Sequence, residues 1–203
     1  MKVAIVDYGM GNILSLVGAL NYLGVQHIVV TSDHHQLADA DRLILPGVGS
    51  FAKAMQVIKE KNLHFTLHDL VVEKKKPILG ICLGMQLMGL SSTEHGQHAG
   101  LGWVRGEVTK FNKPSLKVPH VGFDQVIVNH SSKLYNDMHG EIDFYFTHSF
   151  KMHCDASINQ NFCNYGDNFV ASFECEHIAG VQFHPELSQQ NGLHLMQNFI
   201  TQF

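Results

Sequence analysis

Short, continuous apolar runs recur in the first half of this chain, and each is followed by a turn and a helical pattern. The runs Val3–Val6, Leu43–Leu45 and Ile78–Ile81 have the composition of strands that are buried on both faces. Between them, apolar residues recur at helical spacing, as in the segment from Ile13 to Leu23, which closes at Gly24. This alternation predicts an α/β fold with a mainly parallel sheet flanked by helices, in which ligands bind beyond the carboxyl ends of the strands.

The pattern changes after about Thr93. Shorter segments with partly alternating polarity, such as Gln125–Val128 and Asp143–Phe146, predict a smaller antiparallel region. The other predicted elements are strands at Gln26–Val30, Trp103–Val108, Lys117–Val118, Val170–Glu174 and Ala179–Phe183, and helices at Phe51–Lys61, His64–Lys75, Leu83–Leu90 and Gln189–Phe203. Neither a linker nor a repeat divides the 203 residues, so we expect one domain spanning 1–203.

Composition excludes several classes of function. The net charge of −4 gives no general attraction to nucleic acid or to an anionic membrane. The apolar runs are far shorter than the ~20 residues of a membrane span, and the N-terminal residues enter a strand pattern without a leader sequence. The four cysteines form no C-x-x-C pair. We therefore expect a cytoplasmic protein with free thiols.

The segment Gly80–Gln86 contains the pattern G-x-C-x-G at the end of a predicted strand. This is the cysteine form of a nucleophile elbow, a sharp strand-to-helix turn that exposes a reactive side chain. A sulfur at a helix N-terminus faces unpaired N–H groups and the positive end of the helix dipole, which stabilise the thiolate. Cys82 is thus a candidate nucleophile, although a small, buried, structural cysteine has the same local pattern.

A second segment, Gly180–Glu186, ends an apolar strand with His, Pro and Glu in succession. A cysteine nucleophile needs a base within hydrogen-bond reach, and the base needs a third group that fixes its tautomer. His184 can exchange a proton with the Cys82 thiol, and Glu186 can accept a hydrogen bond from the other ring nitrogen. The two segments together predict a Cys-His-Glu triad.

These two segments resemble the signatures of the class I glutamine amidotransferases, which have a flavodoxin-like fold. The chain is more narrowly similar to the glutaminase-subunit branch of the imidazole glycerol phosphate synthases. The matching segments run along almost the whole chain: Asp7–Asn12, Leu45–Gly49, Pro119–His120, Tyr145–Ser149 and Asn164–Gly166. The resemblance implies that Cys82 attacks the side-chain amide of glutamine, and that ammonia and glutamate are released through a thioester.

The resemblance also implies the substrate-binding residues. The oxyanion is expected to bind to the backbone N–H of Leu83 and to the loop of Gly47, Val48 and Gly49, which is thought to reorient when the partner is loaded. Gln86 is expected to hold the substrate. The segment of His148 and Ser149 is expected to hold the α-amino and carboxylate groups of glutamine through its backbone.

The implied partner is a (β/α)8-barrel cyclase that forms a heterodimer with this chain and receives its ammonia in histidine biosynthesis. The expected docking face includes Met10, Gly11 and Asn12, the Phe123 region and Leu187 near the last helix. Three positions depart from the branch. Gly122-Phe123-Asp124 replaces the usual Gly-Trp-Asn, and Leu187 replaces a basic residue. These departures leave open an alternative partner, an ATP-dependent enzyme that amidinates surface sugars.

Two further classes of function fit parts of the pattern. A stand-alone cysteine hydrolase would share the triad, whereas the Pro46–Gly49 loop and Gln86 favour the amidotransferase. A catalytically silent subunit would not need an intact triad. The histidine pairs His34-His35 and His95-x-x-His98 lack a cluster of further ligands at zinc spacing, so we predict no metal site and no cofactor.

Overall fold

The apolar runs of the first half form neighbouring strands of one sheet. In the computed structural model, which describes residues 1–155 and 157–203, the strands are β1 (Lys2–Val6), β2 (His27–Thr31), β3 (Arg42–Leu45), β4 (Ile78–Ile81), β5 (Ser91–Ser92), β6 (His98–Ala99), β7 (Gly106–Lys110), β8 (His120–Ile127), β9 (Asp143–His148), β10 (Phe150–Cys154), β11 (Asn159–Tyr165), β12 (Asp167–Cys175) and β13 (Ile178–Val181). The helices are α1 (Ile13–Tyr22), α2 (His34–Asp39), α3 (Phe51–Glu60), α4 (Leu63–His68), α5 (Leu83–Leu87) and α6 (Gln189–Gln202).

Nine of the strands form a mixed sheet in the order β2-β1-β3-β4-β13-β12-β11-β8-β9. The strands from β2 to β13 are mutually parallel. The strands from β12 to β9 continue the same sheet in antiparallel fashion. A smaller sheet has the order β10-β7-β5-β6. The predicted α/β class is confirmed, and the antiparallel region is larger than expected because it extends the parallel sheet.

Both faces of the sheet are buried at the parallel strands β1, β3, β4 and β13, as the apolar runs predict. Ile5 of β1 lies in a core with Leu16 of α1 and Phe199 of α6. Its neighbour Val6 points to the opposite face and lies in a core with Phe51 of α3 and Leu67 of α4. Alternation along each strand therefore divides its side chains between two helical layers. In residues 1–155 and 157–203, no helix has both the length and the apolar character needed to cross a membrane.

Several predicted boundaries were wrong. The helix predicted to end at Leu90 ends at Leu87, and the chain then turns toward β5, where the Leu90 N–H donates to the Gly106 carbonyl at 2.7 Å. The helix predicted over His64–Lys75 is the shorter α4, followed by a π-helical turn at Asp69–Glu73.

Some strand predictions also need correction. Lys117–Val118 lies outside the strands, and the Lys117 carbonyl instead accepts a hydrogen bond from the Tyr165 hydroxyl at 2.7 Å. The strand predicted from Trp103 begins at Gly106. The helix α2 and the strands β10 and β11 were not predicted, because they are short or polar and carry little periodic signal.

The pairing of β4 with β13 brings the two signature segments together. These strands are parallel neighbours in a register that sets Gly80 beside Gly180 and Ile81 beside Val181. The ladder continues one step further, where the Cys82 N–H donates to the Val181 carbonyl at 2.8 Å. Cys82 and the residues after Val181 thus leave the sheet at the same edge.

Candidate active site

Cys82 lies between β4 and α5 in a backbone conformation that residues other than glycine rarely adopt. Its φ is +53° and its ψ is −110°. Such conformations cost about 1–3 kcal/mol and are found at sites where the surrounding structure holds them in place. The side chain is nearly buried, and it borders a cavity at the sheet edge. This strained turn is the predicted nucleophile elbow.

The two glycines of the G-x-C-x-G pattern are required by close packing. A Cβ at Gly84 would lie 1.8 Å from the Leu45 carbonyl oxygen, and a Cβ at Gly80 would lie 2.8 Å from the Met85 Cα. The helix after Cys82 can therefore approach β3 and pack over β4 only because these side chains are missing.

His184 and Glu186 follow β13 and form a buried pair. His184 Nδ1 is 2.8 Å from Glu186 Oε1, and the two side chains are 4% and 1% exposed. The His184 backbone N–H donates to the Tyr145 carbonyl at 2.9 Å, which holds this segment against β9. His184 Nε2 has no hydrogen-bond partner among the described residues, so it is available to a group in the cavity.

The charge state of His184 is set by its neighbours. Burial by itself lowers the pKa of this imidazole, but the adjacent Cys82 and Glu186 raise it to about 10. At neutral pH the ring therefore carries two protons and faces the sulfur. Cys82 and His184 border the same cavity, and this arrangement can activate a thiolate and deliver a proton to a leaving group.

The cavity has a volume of about 560 Å³. It is lined by Val48, Gly49, Cys82, Leu83, Gln86, Glu94, Pro119, Thr147, His148, Ser149, Phe150 and His184. All the residues predicted to bind substrate lie here except Gly47, which packs behind the lining. A Cβ at Gly47 would lie 2.6 Å from the Tyr8 hydroxyl and 2.8 Å from the Gly84 nitrogen.

The loop that contains Val48 and Gly49 is held at Pro46 and exposed at Val48. The Tyr8 hydroxyl donates to the Pro46 carbonyl at 2.7 Å, and Tyr8 is buried. Burial, and to a smaller degree the nearby Cys82, raises the pKa of Tyr8 well above its ordinary value, so the hydroxyl remains a donor. Val48 is 42% exposed, and Gly49 has a φ of +98°.

A line of hydrogen bonds connects His148 with the edge of the sheet. His120 Nδ1 is 3.0 Å from His148 Nε2, and His120 Nε2 is 2.7 Å from Asp124 Oδ2. On the other side, His148 Nδ1 is 2.7 Å from the Phe150 carbonyl oxygen, which can only accept. Burial, aided by His120 and His184, lowers the pKa of His148 to about 3. The ring is therefore neutral and donates from Nδ1.

Two residues of the site were not predicted from sequence. Glu94 borders the same cavity as Cys82, and its Oε2 accepts from the Phe51 N–H at 2.8 Å. Gln182 is fully buried, and its Nε2 lies 3.7 Å from Cys82 Sγ. Glu94 carries no local signal, whereas Gln182 lies two residues before His184 and therefore on the same side of the extended chain.

The residues predicted to dock a partner are exposed or partly exposed in the structure. Phe123 and Leu187 are 44% and 41% exposed, and the Phe123 ring packs 5.6 Å from that of Tyr145. Met10 and Asn12 are half-buried, and Gly11 lies against Pro46. Within residues 1–155 and 157–203, no group of three or more histidine, cysteine, aspartate or glutamate side chains is arranged to hold a metal ion.

Comparison with known proteins gives consistent results. The family model described as "Glutamine amidotransferase class-I" matches residues 4–203. The chain is 42% identical over 202 residues to "Imidazole glycerol phosphate synthase subunit HisH 2" of Vibrio vulnificus, covering 98% of this chain and 94% of that protein. It is also 42% identical over 201 residues to "Imidazole glycerol phosphate synthase subunit HisH" of Aquifex aeolicus, with 98% and 96% covered.

Solved structures share the fold at lower sequence identity. A crystal structure of a glutamine amidotransferase superposes with a TM-score of 0.76 at 17% identity and covers 97% of each chain. The structure of PurLQS from Thermotoga maritima superposes with a TM-score of 0.72 at 19% identity, covering 99% of this chain and 98% of that one.

Proposed function

The chain belongs to the class I glutamine amidotransferase family, and from that premise we propose that it is the glutaminase subunit of an imidazole glycerol phosphate synthase. The near-full-length similarity to two such subunits carries this assignment. The cavity supports it, because a strained cysteine, a histidine with a raised pKa and a buried glutamate meet at one sheet edge.

The first half-reaction forms a thioester. The Cys82 thiolate attacks the side-chain carbonyl carbon of glutamine, and a C–S bond forms as the carbonyl oxygen becomes an oxyanion. The Leu83 N–H, at the start of α5, and an N–H of the Val48–Gly49 loop donate to this oxygen. The His184 imidazolium then transfers its Nε2 proton to the leaving nitrogen, the C–N bond breaks, and ammonia departs.

The second half-reaction releases glutamate. Neutral His184 takes a proton from water, the water oxygen attacks the thioester carbon, and the C–S bond breaks with its electron pair returning to sulfur. Glu186 holds His184 Nδ1 throughout and keeps Nε2 directed into the cavity. Glu94 binds the α-ammonium group of the substrate, and the backbone near Ser149 binds its α-carboxylate.

The site also favours control by a partner subunit. The oxyanion loop is anchored by Tyr8 at Pro46, while Val48 remains exposed and Gly49 allows peptide rotation at low steric cost. A (β/α)8-barrel cyclase that docks on the face of Phe123 and Leu187 would reach this loop, form a heterodimer and receive the ammonia. The cytoplasmic location expected from the sequence remains a prediction.

Glutamine hydrolysis by purified protein tests this proposal. The chain alone should hydrolyse glutamine slowly, addition of its cyclase partner should increase kcat, and Cys82→Ala should abolish turnover in both conditions. Retention of turnover by Cys82→Ala would exclude the assigned nucleophile. The partner that co-purifies from the native cell identifies the pathway. A barrel cyclase supports the assignment to imidazole glycerol phosphate synthesis, whereas an ATP-dependent amidinating enzyme would overturn that assignment.

A further inference from the structure

The Phe150 carbonyl determines how two buried amides are oriented. Gln86 Nε2 lies 3.1 Å from the Phe150 carbonyl oxygen and 2.9 Å from Gln182 Oε1. A backbone carbonyl only accepts hydrogen bonds, so Gln86 must present its NH₂ group to it. That same NH₂ group then donates to Gln182, which must present its oxygen to Gln86. The NH₂ group of Gln182 is thereby directed at Cys82 Sγ, at 3.7 Å.

Neither amide can reverse this arrangement at low cost. Gln182 is fully buried and Gln86 is 6% exposed, so a flipped amide would leave its polar atoms without solvent to replace the lost partners. The Gln182 backbone is also held, since its N–H donates to the Ala171 carbonyl at 2.7 Å. The N–H that faces the sulfur is therefore built into the fold.

We propose that Gln182 is a catalytic residue whose side-chain N–H donates to Cys82 Sγ and stabilises the thiolate; this rests on the assignment of Cys82 as nucleophile in the proposed function. The donor acts twice. It stabilises the thiolate before the C–S bond forms, and it stabilises the thiolate again when water attacks the thioester, the C–S bond breaks and its electron pair returns to sulfur. The proton that leaves water goes to His184, so Gln182 itself exchanges none.

Other ionisable groups near the sulfur do not replace this donor. His184, in the segment after β13, supplies a positive charge near the sulfur. Tyr8 also lies close to Cys82, but its hydroxyl donates its hydrogen bond to the Pro46 carbonyl. Glu94 and His148 border the same cavity, where Glu94 is an acceptor and neutral His148 has both nitrogens committed. None of these four side chains offers a neutral N–H to Cys82 Sγ, whereas Gln182 does.

The rate at which iodoacetamide alkylates Cys82, measured across pH by mass spectrometry of its peptide, tests the proposal. Gln182→Leu removes the donor, and Gln182→Glu replaces it with a carboxylate of the same shape. The pH midpoint of alkylation should move upward by about one unit in Gln182→Leu, which is about tenfold in equilibrium, and further in Gln182→Glu. Gln26→Glu makes the same change at an exposed position and should leave the midpoint unchanged.

An upward shift in Gln182→Glu alone would reflect charge repulsion and would overturn the donor assignment, as would unchanged midpoints in both variants. If neither variant folds, NMR spectra of the wild-type chain test the proposal instead. The Gln182 side-chain amide proton should move downfield in NMR spectra over the same pH range as the alkylation profile, and a constant resonance overturns the proposal. Neither the alkylation rate nor the NMR shift involves glutamine or a partner. Failure of the proposed glutaminase function is therefore distinguishable from failure of the proposed role of Gln182 as donor.

Discussion

At the scale of single residues, the site depends on side chains held in positions that cost stability. Cys82 has a positive φ because the sulfur must leave β4 toward the cavity while α5 begins immediately after it. Glycine adopts such a conformation without strain, whereas alanine has the same Cβ conflict as cysteine. The proposed nucleophile therefore occupies a position that costs stability.

This cost can be measured by comparing two inactive variants. Cys82→Gly should have a free energy of unfolding about 1 kcal/mol higher than Cys82→Ala, because only glycine relieves the strained backbone. Urea denaturation of both variants provides the comparison, and Cys82→Ala is the control for loss of the thiol. A Cys82→Ala chain as stable as Cys82→Gly would show that the turn carries no strain.

His148 gives the protein a sensitivity to acid. Its pKa is about 3 in the folded chain, mainly because of burial, against an ordinary value of about 6.5 in the unfolded chain. The unfolded state therefore binds the proton first as pH falls, and this contribution to stability, which is complete above pH 6.5, is lost progressively toward pH 3.

His148→Gln should remove that part of the pH dependence. Glutamine can still donate to the Phe150 carbonyl and accept from His120, but it does not titrate. Between about pH 6.5 and 5.5, the wild-type free energy of unfolding should fall by about 1 kcal/mol more than that of the variant. Chemical denaturation at these two pH values makes the measurement, and equal losses in both proteins would contradict the prediction.

At the scale of elements, glycines decide how closely helices approach the sheet. Gly84 brings α5 against β3, where a Cβ would lie 1.8 Å from the Leu45 carbonyl oxygen. A Cβ at Gly18 in α1 would meet nothing within 4 Å, and this residue lies on the exposed side of its helix. The two positions share a helical backbone and differ in their surroundings.

The same substitution should therefore have opposite effects at these positions. Gly84→Ala should lower the free energy of unfolding by about 2–4 kcal/mol, because backbone must move to admit the methyl group. Gly18→Ala should raise the free energy of unfolding by about 0.5–1 kcal/mol, because alanine is the better helix former and its methyl group meets no neighbouring atom. Thermal and urea unfolding measure both, and a destabilised Gly18→Ala would show that helix propensity does not dominate there.

At the scale of the whole molecule, exposed apolar side chains lie beside the catalytic edge. Phe123 on β8 packs against Tyr145, whose carbonyl holds the His184 backbone. Phe123 is thereby linked through Tyr145 to the segment that contains His184. Leu187 follows the same segment and is also exposed, so a partner that docks on this face would meet apolar side chains.

Phe123→Asp should reduce the ratio of partner-stimulated to unstimulated glutamine hydrolysis by at least about tenfold, since a charge would be buried in an apolar contact. Steady-state kinetics with and without the purified cyclase gives this ratio. Phe65 on α4 is 69% exposed, and Phe65→Asp is the matched control that should leave the ratio unchanged. Equal ratios in Phe123→Asp and wild type would place the docking face elsewhere.

Local patterns in the sequence were sufficient for the α/β class, for the sharp strand-to-helix turn at Cys82 and for the pairing of His184 with Glu186. Each of these depends on residues close along the chain, where periodicity, glycine placement and strand geometry act directly. The same reasoning failed for β10, β11 and α2, because β10 and β11 mix polar and apolar residues without regular alternation and α2 has only six residues.

Only the tertiary structure decided which distant residues meet. The parallel register of β4 and β13 sets Gln182 against Cys82 across 100 positions of sequence, and the turn after β5 brings Glu94 to the start of α3. The Asp124–His120–His148 line likewise depends on the register of β8 and β9. Strand register is set by packing over the whole sheet, so these contacts could not be obtained from any single stretch of the chain.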